Sequence, residues 1–122
     1  MSAHDTDIVL TAEAGRIAVA LRALFMGRDL CVIVTGGEVP HLGAVSCASK
    51  ELATQTVRFA GHKEYHVTEM FAERLRAVFD GNAAVLCGIH VDNITKEEIE
   101  TTLALCRGLL DSLCARLKEV AQ

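Results

Sequence analysis

An α+β fold, in which a sheet carries two helices on one face or at its edges, is what this sequence predicts, and three observations predict it. Two apolar runs rich in β-branched residues, Leu30 to Thr35 and Ala84 to Ile89, are bounded by turn residues, with Gly36-Gly37 after the first and Gly81 and Asn82 before the second. Short bounded runs of this kind read as buried strands. Near the C-terminus, Ile99, Leu103, Cys106, Leu110, Leu113, Leu117 and Val120 form a long helical stripe that begins at Thr95-Lys96-Glu97-Glu98. That start is a capping box, in which Thr95 and Glu98 each satisfy a backbone N–H of the other. The full order is five strands, helix, strand, helix, which defines the class.

The elements follow in chain order. Ile8 to Ala12 is the first strand. Ile17, Val19, Leu21 and Phe25 fit period two, although the alanines and leucines among them also suit a helix. Gly15 before this segment and Gly27-Arg28-Asp29 after it favour a hairpin, so Ile17 to Leu24 is read as a strand and Leu30 to Thr35 as its next neighbour, an antiparallel start. Leu42 to Ser49 is small and apolar enough for a fourth strand, and Gln55 to Ala60 alternates Val57 and Phe59 with polar residues. A helix from about His62 to Phe79 places Val67, Met70, Phe71, Leu75 and Val78 on one face. Ala84 to Ile89 and the helix from Thr95 complete the chain. No internal repeat, low-complexity tract or linker interrupts it and Pro40 is its one proline, so residues 1–122 are expected to be a single domain.

A chain of 122 residues can bury one core but is short for an enzyme that must hold a large cofactor alone. The hydrophobic fraction is 51% and mean hydropathy is +0.30, with only 4% aromatics and no tryptophan, so the core is aliphatic and a homodimer with a buried interface is expected. A net charge of −4 argues against nucleic acid as a partner, since phosphate backbones need a basic face. Residues Met1 to Asp7 are polar and acidic, and no run approaches the ~18 apolar residues that could span a bilayer, so a cytoplasmic protein with no membrane partner is expected. The five cysteines, Cys31, Cys47, Cys87, Cys106 and Cys114, contain no CxxC pair and signal neither a disulfide framework nor a thiolate zinc site; most are read as small buried hydrophobes.

Chemistry concentrates in three segments where apolar runs stop: Gly36-Gly37-Glu38-Val39-Pro40-His41-Leu42-Gly43, Gly61-His62-Lys63-Glu64 and Gly88-Ile89-His90-Val91-Asp92-Asn93. Glycine lets the backbone turn or approach a ligand closely, and imidazole binds metals, carries protons or hydrogen-bonds near neutral pH. The second segment opens a helix, where free N–H groups and the helix dipole favour an anion such as phosphate and Lys63 adds charge. In the third, His90 and Asp92 emerge on one side of an extended backbone. One composite site for a phosphate-bearing ligand, with a divalent metal ion on His41, His62 and His90, fits this chemistry. Plainer readings stand beside it. His62 also suits a helix cap, Asp92-Asn93 and Gly36-Gly37 suit turns, Lys63 and Glu64 suit solvated first-turn charges, and His66, one turn after His62, suits an exposed helix position.

In this order and spacing the three segments, with Gly36-Gly37 ahead of the first histidine, resemble the prenylated-flavin chaperone family typified by the small companion protein of gallate decarboxylase. The likeness runs from about Asp29 to the end of the second helix. It implies a companion protein, not itself an enzyme, that binds prenylated flavin mononucleotide and helps mature a UbiD-type decarboxylase. The implied fold is similar to that of proteasome assembly chaperones, a six-stranded, mostly antiparallel sheet with two helices that commonly dimerises. The resemblance would set Gly37, His41, Gly61, His62, Lys63, His90, Asp92 and Asn93 around the flavin or an associated metal. Ser46-Cys47 and Tyr65-His66 depart from the pattern and bear on ligand specificity. Two other functions remain open from the residues alone: a small metal-dependent hydrolase with Asp92 or Glu64 as base, and an assembly chaperone that needs no cofactor.

Overall fold

The structure, a computed structural model, describes residues 7–59 and 64–120. Six strands, β1 (Ile8–Ala14), β2 (Ile17–Met26), β3 (Asp29–Gly37), β4 (Ala44–Ala48), β5 (Gln55–Arg58) and β6 (Ala83–His90), form one sheet, with α1 (Tyr65–Val78) before β6 and α2 (Lys96–Val120) after it. The predicted element order holds throughout. The strand order is β1-β2-β3-β6-β4-β5. Every pairing is antiparallel except β3 with β6, which run parallel.

β2 settles as a strand because both its edges are used. Hairpins to β1 and β3 close through two-residue turns that open with Gly15 and Gly27, and the ladders take up the backbone groups that a helix would otherwise bond internally. Its odd positions Ile17, Val19, Leu21 and Ala23 are buried, which is period two.

Leu30, Val32 and Val34 of β3, Val85 and Cys87 of β6, and Ala44 and Ser46 of β4 are buried on the same face as the odd positions of β2. Both helices lie there, α1 over β4, β5 and β6 and α2 over β1 and β2, in contact with each other. Phe71 and Leu75 of α1 and Cys106, Leu110 and Leu113 of α2 fill the interface. A chain of hydroxyls adds direction to this apolar packing: Ser46 Oγ lies 2.7 Å from Thr56 Oγ1 and 2.7 Å from Thr68 Oγ1, tying β4, β5 and α1 together. No helix is long and apolar enough to cross a membrane among the described residues.

Some boundaries and faces differ from expectation. The fourth strand starts at Ala44, so His41 and Leu42 belong to the preceding loop, and β5 ends at Arg58. α1 starts at Tyr65 behind Glu64, while the part of the expected helix at His62 and Lys63 lies outside the described residues. Val78, expected in the core, is 46% exposed in the last turn of α1. Ile99 is equally exposed, because Glu98 rather than its neighbour faces the sheet edge.

The capping box forms as predicted: the Glu98 N–H donates to Thr95 Oγ1, and the Thr95 N–H donates to Glu98 Oε1, each at 3.1 Å. Arg16 then forks onto the same carboxylate. With its hydrogen bonds to Arg16 foremost, and those to Thr95 next, the Glu98 carboxyl is held down at about 2. A carboxyl depressed in the folded state stabilises it above the ordinary carboxyl pKa and loses that contribution as pH falls through the folded value. Acid titration is therefore expected to fray the first turn of α2 between about pH 4.5 and about pH 2, more readily in high salt because the pair is accessible to ions. Amide shifts of residues 95–99 followed by NMR check this, and shifts that stay constant over that window would count against it.

Among the described residues, nothing covers the face of the sheet opposite the helices. Across it the register aligns Val9, Arg22, Ile33, Leu86, Val45 and Val57, an apolar row interrupted by one arginine.

Candidate functional site

The first and third histidine segments meet where the parallel β3–β6 pair ends. Gly37 lies opposite His90 in register and has φ of 78°. A side chain there would be strained and would run into the His90 carbonyl, so glycine alone lets the strands leave the sheet this close together. The Glu38 N–H then donates to the His90 carbonyl at 2.8 Å. Gly88 plays the matching part on β6: a Cβ at that position would collide with the His41 carbonyl, so its absence lets the loop before β4 lie directly on the strand.

This close packing brings the two imidazoles together, with ring centroids 6.2 Å apart and planes at 74°. Each ring meets a carboxylate. His41 Nε2 lies 2.5 Å from Glu64 Oε2, and His90 Nε2 lies 2.8 Å from Asp92 Oδ1. The two pairs differ in environment: the His41 and Glu64 side chains are 21% and 10% exposed, those of His90 and Asp92 49% and 65%. Glu64 is the residue before α1, but its side chain makes no capping bond. It reaches instead over Gly43 to the end of β6, where Oε2 also accepts the Ile89 N–H at 3.2 Å. The hydrogen bond from His90, with further contributions from Glu38 and Arg16, holds the Asp92 carboxyl below the usual carboxylate range. Asn93 has φ of 53°, the geometry of a tight turn, in keeping with the plainer reading of Asp92-Asn93.

Beside this cluster, on the uncovered face, lies an open trough of about 640 Å³ floored by Ala18, Ala20, Thr35 and Gly37 and walled by Glu13 and Pro40. Its volume is in the ~300–1,000 Å³ range of small-molecule sites. Its floor is flat because no side chain there is larger than threonine. Strand alternation brings His90 out on the same face as Gly37. At the edge of the sheet, the Arg58 guanidinium lies 3.7 Å above the centre of the Tyr65 ring, which stacks at 4.1 Å on His66, so a fixed cation stands beside the start of α1.

Of the predicted site residues, the structure brings together Gly37, His41, His90, Asp92 and Asn93. Gly61, His62 and Lys63 lie outside the described residues. The expected metal set includes His62, which lies outside the described residues; among the described residues, no three His, Cys, Asp or Glu side chains are arranged to hold an ion. Within that set, His41 and His90 lie in separate pairs, the first beside Glu64 and the second beside Asp92. Cys87 and Cys106 are buried, and burial raises both thiols, Cys106 to about 11, which fits the structural role read for most of the cysteines. Sequence reasoning missed Glu64 as the partner of His41, and it missed Glu38, Arg16 and Arg58. Only Glu38 and Glu64 carried a signal, by standing inside the motifs.

Residues 13–118 match the prenylated flavin chaperone LpdD-like domain. The chain belongs to this family. Within it, the chain is 35% identical over 94 residues to protein LpdD of Lactiplantibacillus plantarum (strain ATCC BAA-793 / NCIMB 8826 / WCFS1), covering 73% of this chain and 68% of that protein. As an LpdD-like chaperone the chain is an accessory protein rather than an enzyme, which sets aside the hydrolase reading. A solved structure of a chaperone complex for yeast 20S proteasome assembly contains a similar chain, with a TM-score of 0.66 over 92% of this chain and 97% of that one. Their identity is 13%, so the likeness is one of fold. The six-stranded, mostly antiparallel sheet with two helices is the architecture that the resemblance implied.

Proposed function

We propose that this LpdD-like chain binds prenylated flavin mononucleotide at the open end of its sheet and delivers it to a UbiD-type decarboxylase in the cytoplasm. The meeting of His41 and His90, 6.2 Å apart beside the trough, carries this reading. A planar ring system would lie on the small-residue floor, with His90 and Asp92 at its polar edge and His41 behind them. The phosphate would go to the start of α1, near Arg58, with Lys63 and His62 as the further contacts that the sequence places there. Hydrogen bonds and stacking suit a carrier, which must hold its cargo firmly and still release it. Nothing in this arrangement needs an ion.

The homodimer belongs to the same reading. A six-stranded face is roughly 30 Å wide at the ~4.8 Å strand spacing. It thus offers an area of the order of the ~800 Å² per partner buried in a standard interface. A second copy set against the row from Val9 to Val57 would cover that apolar surface and give the trough a wall. Light scattering is expected to give twice the chain mass at micromolar concentration, and Leu86→Arg to give the monomer; a monomeric parent would contradict this.

The test of function is co-expression of a UbiD-type decarboxylase with the parent chain or with His90→Ala. The parent should raise the fraction of decarboxylase that carries its cofactor, and the variant, folded but altered at an element end, should fail to. Equal loading by both would leave the assembly role that needs no cofactor as the better account.

A further inference from the structure

The His90–Asp92 pair is too exposed to be held by packing, yet four backbone polar atoms around the turn, the His90, Asp92 and Asn93 carbonyls and the Asp92 N–H, are held by hydrogen bonds. Arg16, in the β1–β2 turn, donates through Nη2 to the Asp92 carbonyl at 2.8 Å and to the Asn93 carbonyl at 3.4 Å. The same guanidinium forks onto Glu98, with Nε to Oε2 at 2.7 Å and Nη2 to Oε1 at 2.9 Å, and reaches Glu38 Oε1 through Nη1 at 3.3 Å. Glu38 Oε1 in turn accepts the Asp92 N–H at 3.4 Å, while the Glu38 N–H holds the His90 carbonyl. The peptide of Asp92 is thereby gripped on both sides by one ion pair, Arg16–Glu38, whose cation is anchored to the capping box of α2.

We propose that Arg16 is a positioning residue for the site: with Glu38 and Glu98 it forms a clasp that fixes the turn after β6 and so aims the His90–Asp92 pair at the ligand. Exposed ion pairs add little to stability on their own. What a guanidinium supplies here is direction, because its planar donors serve two carboxylates and two carbonyls at once, and a lysine ammonium lacks that geometry. The clasp also gives Glu38 of the first segment a role, since it joins that segment to the third. The consequence for ligand binding rests on the flavin reading above; the consequence for His90 does not.

The experiment compares the full-length parent with Arg16→Gln and Arg16→Lys. Histidine side-chain resonances and amide exchange of residues 91–94 are read without ligand, and affinity for reduced prenylated flavin mononucleotide is read separately. Arg16→Gln is expected to keep a cooperative melt close to that of the parent, to shift the His90 signals, to speed exchange in the turn and to weaken binding about tenfold, the scale of a lost charge-assisted contact. Arg16→Lys should fall between the two. If the His90 signals and turn exchange of Arg16→Gln match the parent, the clasp is overturned. If they change while a binding-competent parent and its variant share one affinity, the positioning role is overturned. If they change and the parent itself binds no flavin, the clasp stands and the flavin reading falls.

Discussion

Gly88→Val is expected to dismantle the site and to lower the stability of the whole chain. The atoms that its Cβ would run into first are all backbone, the carbonyl of His41 and the nitrogen of Leu42, which cannot swing aside as a side chain could. Either the loop from Val39 to Leu42 lifts off β6 or the strand shifts and strains the ladder that begins with the Gly43 N–H to Cys87 carbonyl bond at 2.9 Å. Forcing extra groups into a close-packed place costs typically ~1–3 kcal/mol. For a domain of this size, that corresponds to a drop of roughly 3–15 °C in Tm. Thermal melts measure the loss, and the ring-current shifts that His41 and His90 impose on each other should vanish with it. A variant that melts with the parent and keeps those shifts would mean that the loop does not lie on Gly88.

Glu64→Ala is the second large effect. The carboxylate is only 10% exposed and meets both His41 and the Ile89 N–H, so its removal takes the acceptor from the Ile89 N–H and this contact from His41. A buried donor stripped of its acceptor costs about 1–3 kcal/mol. Glu64→Gln retains an acceptor oxygen for Ile89 and should cost less. On the flavin reading, the alanine variant should also bind the cofactor at least about tenfold more weakly, since His41 loses the group that orients it. Urea unfolding and binding titrations of the three proteins check the order parent, Gln, Ala. An alanine variant that unfolds at the parent midpoint would show that these contacts carry no weight.

What the sequence made legible was local. Thr95 and Glu98 announce the start of α2 because a capping box lies within four residues, and the hairpins announce themselves through Gly15 and Gly27. The glycine turns on either side placed β2 correctly even where propensity was divided. The strand order was not legible: the parallel seat of β6 between β3 and β4 depends on pairings across tens of residues, which no local pattern encodes. The same limit explains the site. Three glycine-flanked histidine segments could be recognised as a set, and the meeting of His41 with His90 follows from where β3 and β6 end. Glu64, by contrast, looked like a first-turn helix charge, and only the bare surface of Gly43 beside the end of β6 lets it reach His41. Arg16 stands 76 positions before Asp92 in the chain and carries no signal at all. The metal expectation came from counting imidazoles, a count that cannot reveal that His41 and His90 each lie beside a carboxylate.

The most direct test of the central claim is to incubate the pure protein anaerobically with reduced prenylated flavin mononucleotide, desalt it, and record its absorption spectrum and native mass. The parent is expected to retain a flavin spectrum and the added mass of the cofactor, and a folded His41→Ala/His90→Ala double variant to lose both. A parent that emerges colourless at the mass of the bare chain, or a double variant that retains the cofactor as well as the parent does, would contradict the account.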